Sequence, residues 1–326
     1  MVEKGKYFTW PNTKNGFIDV NGCMKLSNQQ IDSLAALKDS GCQVAYYEET
    51  LAILDHVGGD YVNRFFGQEG LMGGPIKLDY CLGTCVLRGY IDCVIGMQEM
   101  HLEAEGLNVV LPNTIMEVRR VSDDFVGQVL IMSSEFLESL RLNQSLIAAI
   151  SVRHQVFFPF VGQETDYVKG LFSQMVGLLN TTTNPYRLDA ARALITAAFY
   201  GLGYYLHLQH PERERTMPEY IAEQFLQLVE EHCVEHHETD FYAGKLCISS
   251  KYLSICVKKS TGRTAMEWIR RYLVQQAQVM LGDNTLSIQQ ISNKLNFANQ
   301  VLFSKFFKRE TGQSPLEHRK RRRGVR

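Results

Sequence analysis

The sequence predicts an α+β chain, with a β-rich front and an all-helical back. Three observations carry this: short β-rich runs between Leu78 and Ile131, helical periodicity from Thr165 onward, and a reversal of charge near residue 240. Up to residue 240, 17 Lys and Arg stand against 31 Asp and Glu, a net of −14; after it 17 stand against 4, a net of +13. The formal charge of −1 therefore hides an acidic portion joined to a basic one, which fits a phosphate-binding module carried by a sensor or enzyme domain. With 326 residues, 45% of them hydrophobic, the chain has room for about two domains with sizeable cores. Disordered and fibrous classes are excluded.

In chain order, Leu26 to Asp39 reads as a short amphipathic helix through Leu26, Ile31, Leu34 and Leu37, and residues 43–57 as strand or helix. The runs 78–97, 108–112, 115–121 and 125–132 are separated by Gly, Asn, Pro or Asp and predict antiparallel strands. A helix with Thr165 as its N-cap follows, with Val168, Leu171, Phe172, Met175, Leu178 and Leu179 at three- and four-residue spacing. Asn184-Pro185 starts another in the favoured cap and first-turn positions. Its stripe of Leu188, Ala191, Ile195, Ala198 or Phe199, Leu202 and Leu206 packs either on the β domain or on a second copy of itself. The polar stretch 210–218, bounded by Pro211 and Pro218, is a domain boundary. The expected division is a β-rich regulatory domain over 1–160, a helical linker over 161–210 and a helical domain over 218–326.

Past Pro218 a long helix covers Glu219 to His236, and two similar blocks follow at 240–269 and 287–319. In each, a short helix with a small residue (Ala243; Ser292) ends about four residues later in a tight turn (Cys247; Asn296), and a second helix closes on Thr-Gly (Thr261-Gly262; Thr311-Gly312). That is the layout of a helix-turn-helix, in which small residues let two helices cross closely and the second lies in the major groove. A connecting helix over Ala265 to Leu281 would span about 25 Å, a strut suited to placing two recognition helices in successive grooves about 34 Å apart.

Residues 220–319 resemble the tandem helix-turn-helix domain of the AraC/XylS family of bacterial transcription regulators. The second block carries the match through Asn296-Phe297, the run Phe303 to Arg309, Thr311-Gly312, Ser314-Pro315 and Arg319. The first contributes Ser249, Tyr252-Leu253-Ser254, Lys258-Lys259 and Ser260-Thr261-Gly262. Cys247 and Asn296 stand where the family usually has a turn glycine, and Ile255 and Leu273 where it often has arginine. The resemblance implies double-stranded promoter DNA and RNA polymerase as partners, a homodimer, and a cupin-like barrel at the front that takes a small-molecule effector; the cytoplasmic location expected rests instead on a start that does not read as a signal peptide. Some alkylation-repair methyltransferases carry the same module, so an enzyme of that kind is the rival reading; it would need a reactive cysteine.

On the first recognition helix Leu253, Cys256 and Val257 point to the core, which leaves Ser250, Lys251, Ser254, Ile255 and Lys258 outward. On the second, Phe303, Phe306 and Phe307 point inward; Asn299, Gln300, Leu302 and Lys305 point outward, with Lys308 and Arg309 at the end. Asn and Gln suit adenine edges, Lys suits guanine or phosphate, and Ile or Leu can meet a thymine methyl. The run Arg319 to Arg323 adds positive charge without specificity.

Elsewhere no catalytic, cofactor or metal set is expected. The eight cysteines contain no Cys-x-x-Cys pair and read as buried apolar residues. The barrel region offers only His101 with Glu99 and Glu103, which read as surface or pocket polar residues. Gly58-Gly59 and Gly73-Gly74 read as turns rather than phosphate cradles, and Gly201-Leu202-Gly203 lacks a third glycine and a preceding strand. No apolar run reaches the roughly 18 residues of a membrane span, and the lysine-bearing start lacks the apolar block of a signal peptide.

Overall fold

The computed structural model describes residues 23–24, 43–48, 50–58, 74–143, 146–147, 150, 157–159, 163–209, 216–283 and 285–324. The expected helix over Leu26 to Asp39 lies outside them. Eleven described strands form two sheets. The first, in the order β1-β4-β9-β6-β7, comprises β1 (Cys23–Met24), β4 (Ile76–Leu78), β9 (Ile115–Val121), β6 (Tyr90–Ile95) and β7 (Gln98–Glu103). The second, in the order β11-β8-β5-β10-β3-β2, comprises β11 (Phe157–Pro159), β8 (Gly106–Val110), β5 (Tyr80–Arg88), β10 (Val126–Ser133), β3 (Leu51–Gly58) and β2 (Gln43–Tyr47). Residues 43–57, open between strand and helix in the sequence, are thus the β2–β3 pair.

The front is β-rich and largely antiparallel, as expected, but it is a stack of two open sheets rather than a closed barrel. Each sheet keeps two edges among the described strands, and at one of them Pro159 has no N–H with which to extend the ladder. Leu54, Leu82, Ile91, Val118 and Ile131 fill the space between the layers. The five-stranded sheet shows one face to solvent, so β6 alternates buried and half-buried residues. In the six-stranded sheet β5 and β10 are buried on both faces and read as continuous apolar runs.

The outer face of that sheet is covered by α1 (Ser134–Ser139), α2 (Gln163–Asn180) and α3 (Arg187–Gln209). α2 begins at Gln163, two residues before the expected cap, and so takes Thr165 inside it. Asn184 holds the start of α3, its Oδ1 accepting from the Tyr186 N–H at 2.9 Å. The α3 stripe resolves to core: Ala191, Ile195, Phe199, Leu202 and Leu206 are buried against the sheet and α2. A buried carboxylate ties the layers together. Asp55 on β3 accepts from Gln128 Nε2 on β10 at 2.7 Å and from Ser173 Oγ on α2 at 3.4 Å.

The back is all helical: α4 (Met217–His232), α5 (Thr239–Lys245), α6 (Ser250–Thr261), α7 (Ala265–Gly282), α8 (Ile288–Lys294), α9 (Gln300–Thr311) and α10 (Pro315–Gly324). Two cores lie along α7. Its first half joins α4, α5 and α6 through Ile269, Tyr272 and Leu273; its second half joins α8 and α9 through Ala277, Met280 and Leu281. Phe297, Phe306 and Val234 pack on both, which makes the two halves one continuous body.

Candidate nucleic-acid interface

The two blocks read as repeats in the sequence are superposable in their bonding. In the first, the Cys247 N–H donates to the Gly244 carbonyl at 3.1 Å and the Ile248 N–H to the Ala243 carbonyl at 3.0 Å. In the second, Asn296 bonds Asn293 and Phe297 bonds Ser292, each at 3.0 Å. Ala243 and Ser292 are both buried at the crossing of the paired helices, where a larger side chain would force them apart.

The second helix of each pair begins at a side-chain cap. Ser249 Oγ accepts from the Tyr252 N–H at 3.2 Å, and Asn299 Oδ1 from the Leu302 N–H at 2.9 Å. Each ends at a left-handed glycine, Gly262 (φ 75°) or Gly312 (φ 79°), where a β-carbon would be disfavoured. The Thr before that glycine bonds back to the helix: Thr261 Oγ1 donates to the Val257 carbonyl and Thr311 Oγ1 to the Phe307 carbonyl, each at 2.7 Å. The following helices open with matching caps. Thr264 donates its N–H to Glu267, and Ser314 donates its N–H to Glu317, each at 2.7 Å. Those bonds hold both carboxyls below the usual glutamate range. Arg319 is buried and donates from Nε to the Leu281 carbonyl at 3.3 Å, fastening α10 to the end of α7.

This scaffold sets out the outward residues. On α6, Lys251, Ile255 and Lys258 are exposed on one face, with Ile255 55% exposed. Ser254 is half-buried beside them, and Ser250 is turned back, its Oγ donating to Asp240. On α9, Gln300, Leu302, Lys305 and Lys308 are exposed. Asn299 is exposed too, but its Oδ1 is engaged as the cap, which leaves its amide as a donor. Arg309 pairs with Glu310 at 2.8 Å and lies over the Phe306 ring at 5.8 Å, so it sits at the margin.

Two exposed residues are not among the outward residues expected from the sequence. Val301, 61% exposed, and Tyr252, 43% exposed, stand in the first turns of α9 and α6. The offset of 50 residues between the helices was the available signal: it pairs Lys251 with Val301 and Tyr252 with Leu302.

His101 and Glu99 lie on the exposed side of β7, where His101 bonds Asp92 at 2.6 Å and Glu99 pairs with Arg119 at 2.7 Å. Among the described residues no group of three or more His, Cys, Asp or Glu is placed to hold a metal. Among them, too, no helix is long and apolar enough to cross a membrane.

Residues 242–321 match the family model for a helix-turn-helix domain. The chain is 29% identical over 154 residues to the Msm operon regulatory protein of Streptococcus mutans, a stretch covering 46% of this chain and 55% of that protein. It is 30% identical over 77 residues to the arabinose operon regulatory protein of Escherichia coli, covering 24% of this chain and 26% of that one. The match thus spans about half the length of the first of these relatives and a quarter of the second. Among solved structures, ToxT of Vibrio cholerae with a bound unsaturated fatty acid aligns with 76% of this chain and 88% of its own, at 15% identity and a TM-score of 0.40.

Proposed function

We propose, from the AraC-type tandem helix-turn-helix domain that the C-terminal helices form, that the chain is a sequence-specific DNA-binding transcription regulator and not an enzyme. One observation carries the reading: two recognition helices with matching caps and turns, 50 residues apart on one strut, present exposed faces in the part of the chain with a net charge of +13. In this reading Lys251, Ser254, Ile255 and Lys258, with Asn299, Gln300, Leu302 and Lys305, face base edges. Ser250 supports the start of the first helix, and Lys308 and Arg309 meet phosphates. Residues 1–160 take a small-molecule effector, 161–210 link, and 218–326 bind promoter DNA as half of a cytoplasmic homodimer that contacts RNA polymerase. Effector binding shifts the population of arrangements in which both DNA-binding halves reach their sites.

With the α3 stripe buried in the front core, a dimer contact has to come from other surfaces of the chain. The rival enzyme needs a thiolate. Burial pushes the thiols of Cys81, Cys85, Cys93 and Cys233 up to about 12, which disfavours that chemistry at these four residues. Selection of duplexes from a random library by the full chain tests the proposal. A recovered consensus, bound at least about a thousandfold tighter than random DNA, is the expected result; equal affinity for selected and random duplexes overturns it.

A further inference from the structure

Between the outer face of the six-stranded sheet and the two helices that cover it lies a cavity of about 350 Å³. Gly83, Val109 and Leu130 form its floor, and Phe172, Met175 and Phe199 its roof. Sheet and helices are elsewhere packed in close contact through the same cluster, so the space is a local gap in an otherwise filled layer. Gly83 deepens the floor, since it puts no side chain on the strand where its partner Leu130 stands. The mouth lies by Tyr167 and Gly201, both exposed.

We propose that this cavity binds an uncharged, largely apolar small molecule, entering between α2 and α3. Three features choose that class. The lining contains no Lys, Arg, His, Asp or Glu, so a charged group inside would lose its hydration without a partner. Apart from the weakly accepting thioethers of Met132 and Met175, its polar side-chain atoms are the Cys81 sulfur on the floor and the Tyr167 hydroxyl at the mouth, too few to hold ordered water across the space. The volume falls within the range of small-molecule sites and exceeds what a packed interior leaves empty by chance. Cys81 adds apolar surface rather than a nucleophile, because burial keeps its thiol protonated. The site is on the far side of the sheet from the space between the two layers. The binding claim stands on the cavity alone; that its occupant is the effector rests on the regulator reading.

The test uses the full chain and the uncharged fluorophore N-phenyl-1-naphthylamine, without DNA, so its outcome is independent of DNA binding. Saturable binding with enhanced fluorescence is expected, displaced by 1-decanol and at least about tenfold less well by decanoate. Gly201→Phe should weaken binding at least about tenfold. A β-carbon at Gly201 meets nothing within 4 Å, so the backbone there accepts a side chain at the mouth, and thermal melting checks that the variant stays folded. Ala198→Leu, in the wall of α3, is the second blocking variant, and Gly201→Ala the control that binds like the parent. Absence of saturable binding overturns the proposal, as do decanoate displacing as well as decanol and both blocking variants binding like the parent while folded.

Discussion

Cys247 and Asn296 occupy the same turn in the two helix-turn-helix units, and both are held at φ 55°, in the left-handed region that favours glycine. The two differ in compensation. Asn296 donates from Nδ2 to the Glu235 carbonyl at 2.8 Å, and asparagine tolerates this backbone region; Cys247 is an exposed free thiol of ordinary backbone preference. Cys247→Gly should therefore stabilise the chain by about 0.5–1 kcal/mol, since relief of the turn exceeds the added freedom of glycine in the unfolded chain. Asn296→Gly should gain nothing or lose stability, because a hydrogen bond worth about 1 kcal/mol goes with it. Urea denaturation of the two variants measures the difference; equal gains at both positions would contradict the assignment.

Glu230 gives the protein a pH dependence of definite sign. Burial pushes its carboxyl up to about 7, against the opposing attraction of Lys77, with Glu231 reinforcing the rise. The folded chain thus keeps a proton that the unfolded chain releases near 4.5. Stability from this group is complete below that value, falls as pH rises toward about 7, and is flat above. The loss is about 3 kcal/mol, and Glu230→Gln should remove it. Denaturation from pH 4.5 to 8 on parent and variant checks this; parallel curves would sink it.

Gln275 on α7 donates from Nε2 to the carbonyl of Gly96, at the tip of the β6–β7 hairpin, and Met97 packs on the helical core beside it. The strut between the recognition helices is therefore tied to the β-rich half. Gln275→Ala should cost about 1 kcal/mol and speed amide exchange at residues 96–97 while leaving β8 protected. Hydrogen exchange read residue by residue decides it, and an unchanged hairpin is the adverse result.

On DNA, Gln300→Ala and Lys305→Ala should each reduce discrimination among sequences by about 1–3 kcal/mol, whereas Arg321→Ala in the tail should weaken all sequences alike. Affinity should fall steeply with salt, as the basic back releases counterions from the phosphates it neutralises. Titrations of selected and random duplexes over a salt series test both statements. A flat salt response, or equal losses from all three variants on both duplexes, would contradict them.

The α3 stripe makes the last prediction. Ile195 is 1% exposed within a single chain, so Ile195→Asp buries a carboxylate without a partner and should unfold the front half rather than yield a folded monomer. Thermal melting with sedimentation separates the two outcomes; a folded monomer would return the stripe to the subunit interface.

The helix-turn-helix pair was legible in the sequence because its determinants are local. Caps at Ser249 and Asn299, left-handed glycines at Gly262 and Gly312 and the inward faces at Leu253 and Phe303 each act within about four residues of chain, which is the reach of helical bonding. The repeat then exposed the outward faces, apart from Val301 and Tyr252, which emerge only when the two helices are set in register. Tertiary structure decided everything that depends on which surfaces meet. An apolar stripe on α3 satisfies a sheet or a second subunit equally well, strand runs do not state whether their sheets close, and a cavity exists only where two layers fail to fill the space between them. Burial and the Gln275–Gly96 tie join residues far apart in the chain, and such long-range pairings leave no periodic mark along it.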